Sequence, residues 1–89
     1  MEKQGNKKLR GLRYTVGDVM GKSPLIELEG NRRASIEGSR GVLLYSREEI
    51  KVNLGDFVVS LTGRGLDLKY ISATSLIIEG FLKNIEFLV

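Results

Sequence analysis

The chain has 89 residues, which is enough for one domain and too few for two separate hydrophobic cores. It contains neither cysteine nor histidine, so disulfides, thiol nucleophiles, thiolate or imidazole metal sites and a Ser-His-Asp triad are excluded. With 42% hydrophobic and 28% charged residues, the composition is that of a folded soluble domain. A chain this short buries only roughly 60% of its unfolded surface, so a partner or a second copy is a candidate source of further stability.

The net charge of +3 is unevenly distributed along the chain. Residues 1–22 carry six basic and two acidic groups, whereas residues 23–89 carry eight basic and nine acidic groups. The basic excess therefore belongs to the first segment alone. We divide the chain into a basic N-terminal arm, residues 1–23, and a β domain, residues 24–89.

The N-terminal arm is predicted to be short and partly helical or disordered. Its apolar residues recur at nearly helical spacing, but Gly11 and Gly17 interrupt the pattern, and each glycine costs up to about 1 kcal/mol inside a helix. Ser23 and Pro24 end the segment, because proline disfavours a helical residue before it. No long apolar run follows the basic start, so we expect neither a signal peptide nor a membrane span.

From residue 25 onward, apolar and polar residues alternate with a period of two, which is typical of half-buried β-strands. Turn residues separate these runs at intervals typical of an all-β sandwich, barrel or meander. We therefore predict seven to eight short, mostly antiparallel strands, with a short β-solenoid as the alternative. Residues 76–78 and 85–89 are apolar on both faces, which predicts central or interface strands.

A glycine closes four of the alternating segments, at Gly30, Gly38, Gly63 and Gly80. The spacings of 8, 25 and 17 residues are not constant, which disfavours the regular rungs of a solenoid. We interpret each glycine as a turn residue that ends a strand. Residues 63–65 (GRG) also form a glycine-rich segment with a positive charge, which is a weak candidate for holding a phosphate and more simply a tight turn with a solvated arginine.

Several short segments occur in a characteristic order in the β domain. They are residues 36–46 (IEGSRGVLLYS), 50–52 (IKV), 66–68 (LDL), 77–80 (IIEG) and 85–87 (IEF). In this order the chain resembles the YabP/YqfC family of sporulation proteins, and the YqfC branch most closely, over roughly residues 24–89. The matching positions are strand cores and turn glycines.

The resemblance implies a role in endospore formation in a Gram-positive spore former, without a defined molecular activity. It supplies no catalytic pattern and no cofactor. Members of the family are typically small soluble proteins that are often encoded beside a membrane-associated sporulation protein, which implies a protein partner. We therefore expect a cytoplasmic location, in the mother cell or in association with the spore.

These observations predict a non-enzymatic structural or protein-interaction module that associates through β-edges or an apolar face. The expected partners are a second copy, a membrane-associated sporulation protein, or both. The predicted partner interface consists of Leu76, Ile78, Phe81, Ile85, Phe87 and Val89. The arm is predicted to contact an anionic surface, such as a membrane, through Lys7, Lys8, Arg10 and Arg13.

Nucleic-acid binding is the alternative function. Small β-barrels bind single strands with a basic groove and aromatic rings, and the binding weakens steeply with added salt. The arginines that would carry it in this chain are Arg32, Arg33, Arg40 and Arg64.

Enzymatic chemistry is the third hypothesis. Glu27 and Glu29 share one face of a strand, as a general acid and base require, but their alternation with apolar residues is equally that of a solvated face. Glu48 and Glu49 are interpreted as the polar tip of a hairpin. No loop has the acidic spacing of an EF-hand, and we expect no metal or cofactor.

Overall fold

The structure, a computed structural model, describes residues 24–89 and has an all-β architecture. Its six strands form one open sheet in the order β1-β2-β6-β5-β4-β3, and every neighbouring pair is antiparallel. No helix occurs among these residues, and the predicted N-terminal arm lies outside them. The strands are β1 (Leu25–Glu29), β2 (Arg33–Glu37), β3 (Val42–Tyr45), β4 (Glu49–Asn53), β5 (Val58–Ile71) and β6 (Ser75–Leu88).

The antiparallel all-β class is confirmed, but the strand number is lower than predicted. β5 and β6 each run for 14 residues and continue through Gly63 and Gly80, where the sequence predicted breaks. The interpretation of residues 63–65 as a tight turn is therefore wrong, because they lie inside β5. The solenoid alternative is also wrong, since an antiparallel sheet has no stacked parallel rungs.

Gly63 and Gly80 permit the two long strands to bend where they cross closely. The β5–β6 register shifts between Thr62 and Gly63 and again after Arg64. A Cβ atom on Gly63 would collide with the Phe81 carbonyl oxygen, and one on Gly80 would lie 2.6 Å from the Gly65 carbonyl oxygen. Glycine at these positions is thus required for close backbone approach within a strand.

The two halves of the sheet share one core, which indicates that the sheet folds over at the irregular stretch of β5 and β6. A flat sheet without helices would leave side chains exposed on both faces, whereas this sheet buries eight large side chains almost completely. The first half contains β1, β2 and the adjoining parts of β6 and β5, and the second contains β3, β4 and the other parts. The eight side chains are Ile36, Ile50, Val52, Val59, Leu61, Leu66, Leu76 and Ile78.

The two halves share one pattern of strand pairing. β2 and the start of β6 correspond to β4 and the start of β5. Ala34 pairs with Ile78 as Ile50 pairs with Leu61. The bends correspond as well: the Gly80 N–H donates to the Arg32 carbonyl at 3.0 Å, and the Gly63 N–H donates to the Glu48 carbonyl at 3.0 Å. The 17-residue spacing of these glycines therefore reflects repeated bends.

The end of β6 is less covered than the sequence predicted. β2 pairs with β6 only from Ser75 to Glu79, and after the Leu82 N–H bond to the Asn31 carbonyl the only described strand that pairs with β6 is β5. Phe87 and Leu88 are 56% and 36% exposed. The prediction that residues 85–89 are covered on both faces is therefore wrong.

Candidate functional site

The described surface has one cluster in which two cations share an aromatic ring. The guanidinium carbon of Arg32 lies 4.3 Å from the centre of the Phe81 ring, and that of Arg64 lies 5.3 Å from it. Phe81 is 44% exposed. We call these three residues the arginine–phenylalanine cluster. Contacts of this kind are attractive because the ring face carries partial negative charge.

Backbone geometry at the bend brings the three cluster residues together. Arg64 pairs with Phe81 in the β5–β6 register, next to the close approach at Gly63. Arg32 precedes β2, and its carbonyl accepts the hydrogen bond from the Gly80 N–H. The cluster therefore depends on strand register and on the bend as much as on its own side chains.

Arg33, one position along the chain, has acidic partners. Its Nε and Nη2 donate to the Oε2 atom of Glu79 at 3.1 and 2.7 Å, and Nη1 lies 3.8 Å from a carboxylate oxygen of Glu29. The hydrogen bond to Glu79 and the nearby negative charges raise the pKa of Arg33 above its ordinary value. Arg33 thus forms an ion pair within residues 24–89, unlike Arg32.

The four arginines of the nucleic-acid hypothesis do not form one patch. Arg40 lies beside Gly55, where a Cβ atom would be 3.1 Å from its Nε. That loop lies at the end of the β4–β5 pair where Asn53 faces Val58. Arg64 lies beyond the opposite end, where Glu49 faces Thr62, so the full paired length separates the two. With Arg33 bound to Glu79, only the two cluster arginines lie together.

The paired carboxylates of the enzymatic hypothesis lie on the surface. Glu27 and Glu29 are exposed on β1 and line an open pocket of about 520 Å³ that also includes Arg33 and Ser35. Within residues 24–89, no three acidic side chains are grouped closely enough to hold a metal ion. Nothing in this geometry distinguishes Glu27 and Glu29 from a solvated strand face.

The β3–β4 hairpin places a tyrosine against a carboxylate of β5. The Tyr45 hydroxyl donates to Oδ1 of Asp67 at 3.1 Å and accepts from the Leu68 N–H at 3.4 Å. The hydrogen bond from Tyr45 lowers the pKa of Asp67. Burial opposes this shift, and the positive charge of Lys69 adds to it. At the hairpin tip, Ser46 Oγ accepts from the Glu49 N–H at 2.9 Å, which agrees with the predicted polar tip.

The predicted partner interface is divided between core and surface. Leu76 and Ile78 are 1% and 0% exposed, so their side chains are unavailable to a partner in this fold. Ile85 is half-buried against the core, whereas Phe81, Phe87 and Val89 are exposed. The exposed part of this interface stays a prediction. Lys7, Lys8, Arg10 and Arg13 lie outside the described residues.

Sequence patterns did not reveal the arginine–phenylalanine cluster. Its residues come from the turn before β2 and from the bends of two long strands, so they share no local motif. The available signal was the repeated apolar segment ending in glycine at Gly63 and Gly80. Once those glycines are recognised as bends in paired strands, Arg64 and Phe81 become neighbours.

The fold and these surface features define a small antiparallel β protein. A model of the YabP family matches residues 21–89, so the chain belongs to the YabP family. The resemblance found in the sequence is confirmed at this level, and membership suggests a sporulation-related role. A comparison with curated proteins finds no match. Within residues 24–89, no helix is long and apolar enough to cross a bilayer.

Proposed function

We propose that this chain is a non-enzymatic structural or protein-interaction module of endospore formation. It associates with a second copy or with a membrane-associated sporulation protein through a β-edge and the apolar side chains beside it. Membership of the YabP family supports the process. The free edge at the end of β6 supports the mode of action.

The end of β6 combines a free edge with exposed apolar side chains. From Asn84 to Leu88 the strand keeps a regular register with β5, and no other described strand pairs with its opposite side. Unpaired backbone groups at such an edge accept an additional strand, which is the mechanism of β-augmentation. Phe87 and Leu88 supply apolar area for the same contact.

The two outer strands are less suited to this contact. β1 carries Glu27 and Glu29, and charges on an edge strand oppose pairing with another chain. β3 has only four residues, and its register shifts between Val42 and Leu44. Short length and irregular register both protect an edge. The end of β6 also carries charges, Lys83 and Glu86, but its register is regular and Phe87 and Leu88 lie exposed beside it.

Light scattering on the full chain across a dilution series tests self-association. We expect the mass to rise with concentration, and Phe87→Lys to weaken association because it places a charge beside the edge. Leu43→Lys is the matched control, since Leu43 is 59% exposed on β3, whose short length and irregular register protect its edge. A wild-type protein that stays monomeric at high micromolar concentration would contradict association with a second copy.

Affinity capture from sporulating cells tests the membrane-associated partner. The full chain, a version starting at Ser23 and Phe87→Lys serve as baits, and mass spectrometry identifies what each retains. We expect a membrane-associated sporulation protein with the first two baits and a reduced amount with Phe87→Lys. Equal capture by all three baits would place the contact away from the β6 edge.

A further inference from the structure

The arginine–phenylalanine cluster has cationic groups without an internal acidic partner in the part of the chain described. Within residues 24–89, the guanidinium groups of Arg32 and Arg64 have no carboxylate oxygen within 4.0 Å, whereas neighbouring Arg33 contacts two. A guanidinium carries five N–H donors, and its attraction to a ring face comes from its charge. The donors that do not point at the ring stay available to an oxyanion.

The same contacts disfavour stacking of a nucleic-acid base on Phe81. Bases bind aromatic side chains face to face. In this cluster the guanidinium carbon of Arg32 lies 4.3 Å from the ring centre, so a base stacking on that face would have to displace it. The ring therefore positions the arginines, and the arginines present the ligand-binding groups.

Charge balance favours carboxylates over a phosphate backbone. Residues 23–89 carry eight basic and nine acidic groups, and Glu29 and Glu79 flank Arg33 beside the cluster. Nucleic-acid affinity comes from neutralising many phosphates, which two guanidinium groups on a nearly neutral domain do not do. Each guanidinium can instead bind one carboxylate through two parallel hydrogen bonds.

The cluster lies where the free edge of β6 begins. The Leu82 N–H donates to the Asn31 carbonyl at 2.8 Å, so the turn before β2 occupies the edge up to that point. A partner strand along the remaining edge would therefore start next to Arg32. A groove of about 180 Å³ lies between the turn and β6, lined by Gly30 and Asn31 on one side and by Leu82 and Ile85 on the other.

We infer that Arg32 and Arg64, held against Phe81, bind the carboxylate groups of an acidic segment in a protein partner. This inference rests on the proposed function because it assumes that the ligand is a protein. It adds the chemistry of recognition: the partner segment carries aspartate or glutamate next to the residues that follow β6.

NMR titration of the full chain with terminally blocked hexaglutamate tests this site. We expect saturable shifts at the Nε–Hε groups of Arg32 and Arg64 and at the Phe81 ring, and no saturable shifts with hexaglutamine. Arg64→Gln should weaken hexaglutamate binding at least about tenfold, since it removes charge-assisted hydrogen bonds. Phe81→Leu should weaken binding more than about threefold, because the guanidinium groups lose their support.

Arg47→Gln is the matched control, because Arg47 is exposed and its guanidinium is not one of the two that lie over the Phe81 ring. It should change affinity less than about twofold. Equal losses for Arg64→Gln and Arg47→Gln, or unlocalised shifts, would overturn the inference. Tighter binding of inorganic phosphate or a thymidine 12-mer at the same residues would also overturn it. Because the β6 edge is tested by Phe87→Lys, failure here leaves the proposed function standing.

Discussion

The carbonyl oxygen of Phe81 occupies the space that a side chain on Gly63 would need. Gly63→Ala must therefore separate β5 from β6 at the bend, and we expect it to lower the free energy of unfolding by about 3 kcal/mol or more. Chemical denaturation measures the change. Thr62→Ala, at the adjacent position of β5, should cost less than about 1 kcal/mol. Equal costs at the two positions would contradict the close approach.

Ile78 and Phe87 both lie in β6, yet they should respond differently to truncation. Ile78 is fully buried, so Ile78→Ala should cost about 2–5 kcal/mol of unfolding free energy. Phe87 is 56% exposed, and its ring meets Phe57 edge-on at 5.7 Å, so Phe87→Ala should cost about 1 kcal/mol. Thermal or urea unfolding at low protein concentration separates the two. The opposite ranking would contradict the placement of the core.

Periodicity predicted the strand class well because alternation responds directly to a buried and an exposed face. Ile50 and Val52 alternate with Lys51 and lie in the core, as the pattern requires. The same pattern did not predict strand length. A glycine that ends a strand and a glycine that bends one, such as Gly63, look identical in a sequence, and only the partner strand distinguishes them.

Side-chain clusters formed across strands were beyond prediction for a related reason. Arg32 and Phe81 meet because β2 pairs with β6 in the sheet. In the sequence, β3, β4 and β5 lie between these two strands. The predicted partner interface, which includes Leu76 and Phe87, likewise assumed that the end of the chain forms one apolar surface. The bend puts the first residue in the core and leaves the second exposed.

The ion pair between Arg33 and Glu79 should contribute little to stability. Both side chains remain partly exposed, at 43% and 34%, and ion pairs at such sites are weakened by water and salt. A double-mutant cycle with Arg33→Gln and Glu79→Gln should give only a small coupling free energy, and a still smaller one in 1 M salt. A larger coupling that is insensitive to salt would contradict this expectation.

The hydrogen bond from Tyr45 to Asp67 should make folding stability depend on pH in the acid range. Because the bond lowers the pKa of Asp67 in the folded state, its stabilisation is present above the ordinary aspartate pKa. That stabilisation is lost as the pH falls through the folded-state pKa. Tyr45→Phe removes the donor, so the pKa of Asp67 should rise and stability should fall less steeply as the pH is lowered.

NMR titration of the Asp67 carboxyl measures the pKa directly. Tyr70→Phe, which removes an exposed hydroxyl elsewhere on β5, should leave the Asp67 titration unchanged. Coincident Asp67 titrations in the two variants would show that the hydroxyl of Tyr45 does not set this pKa.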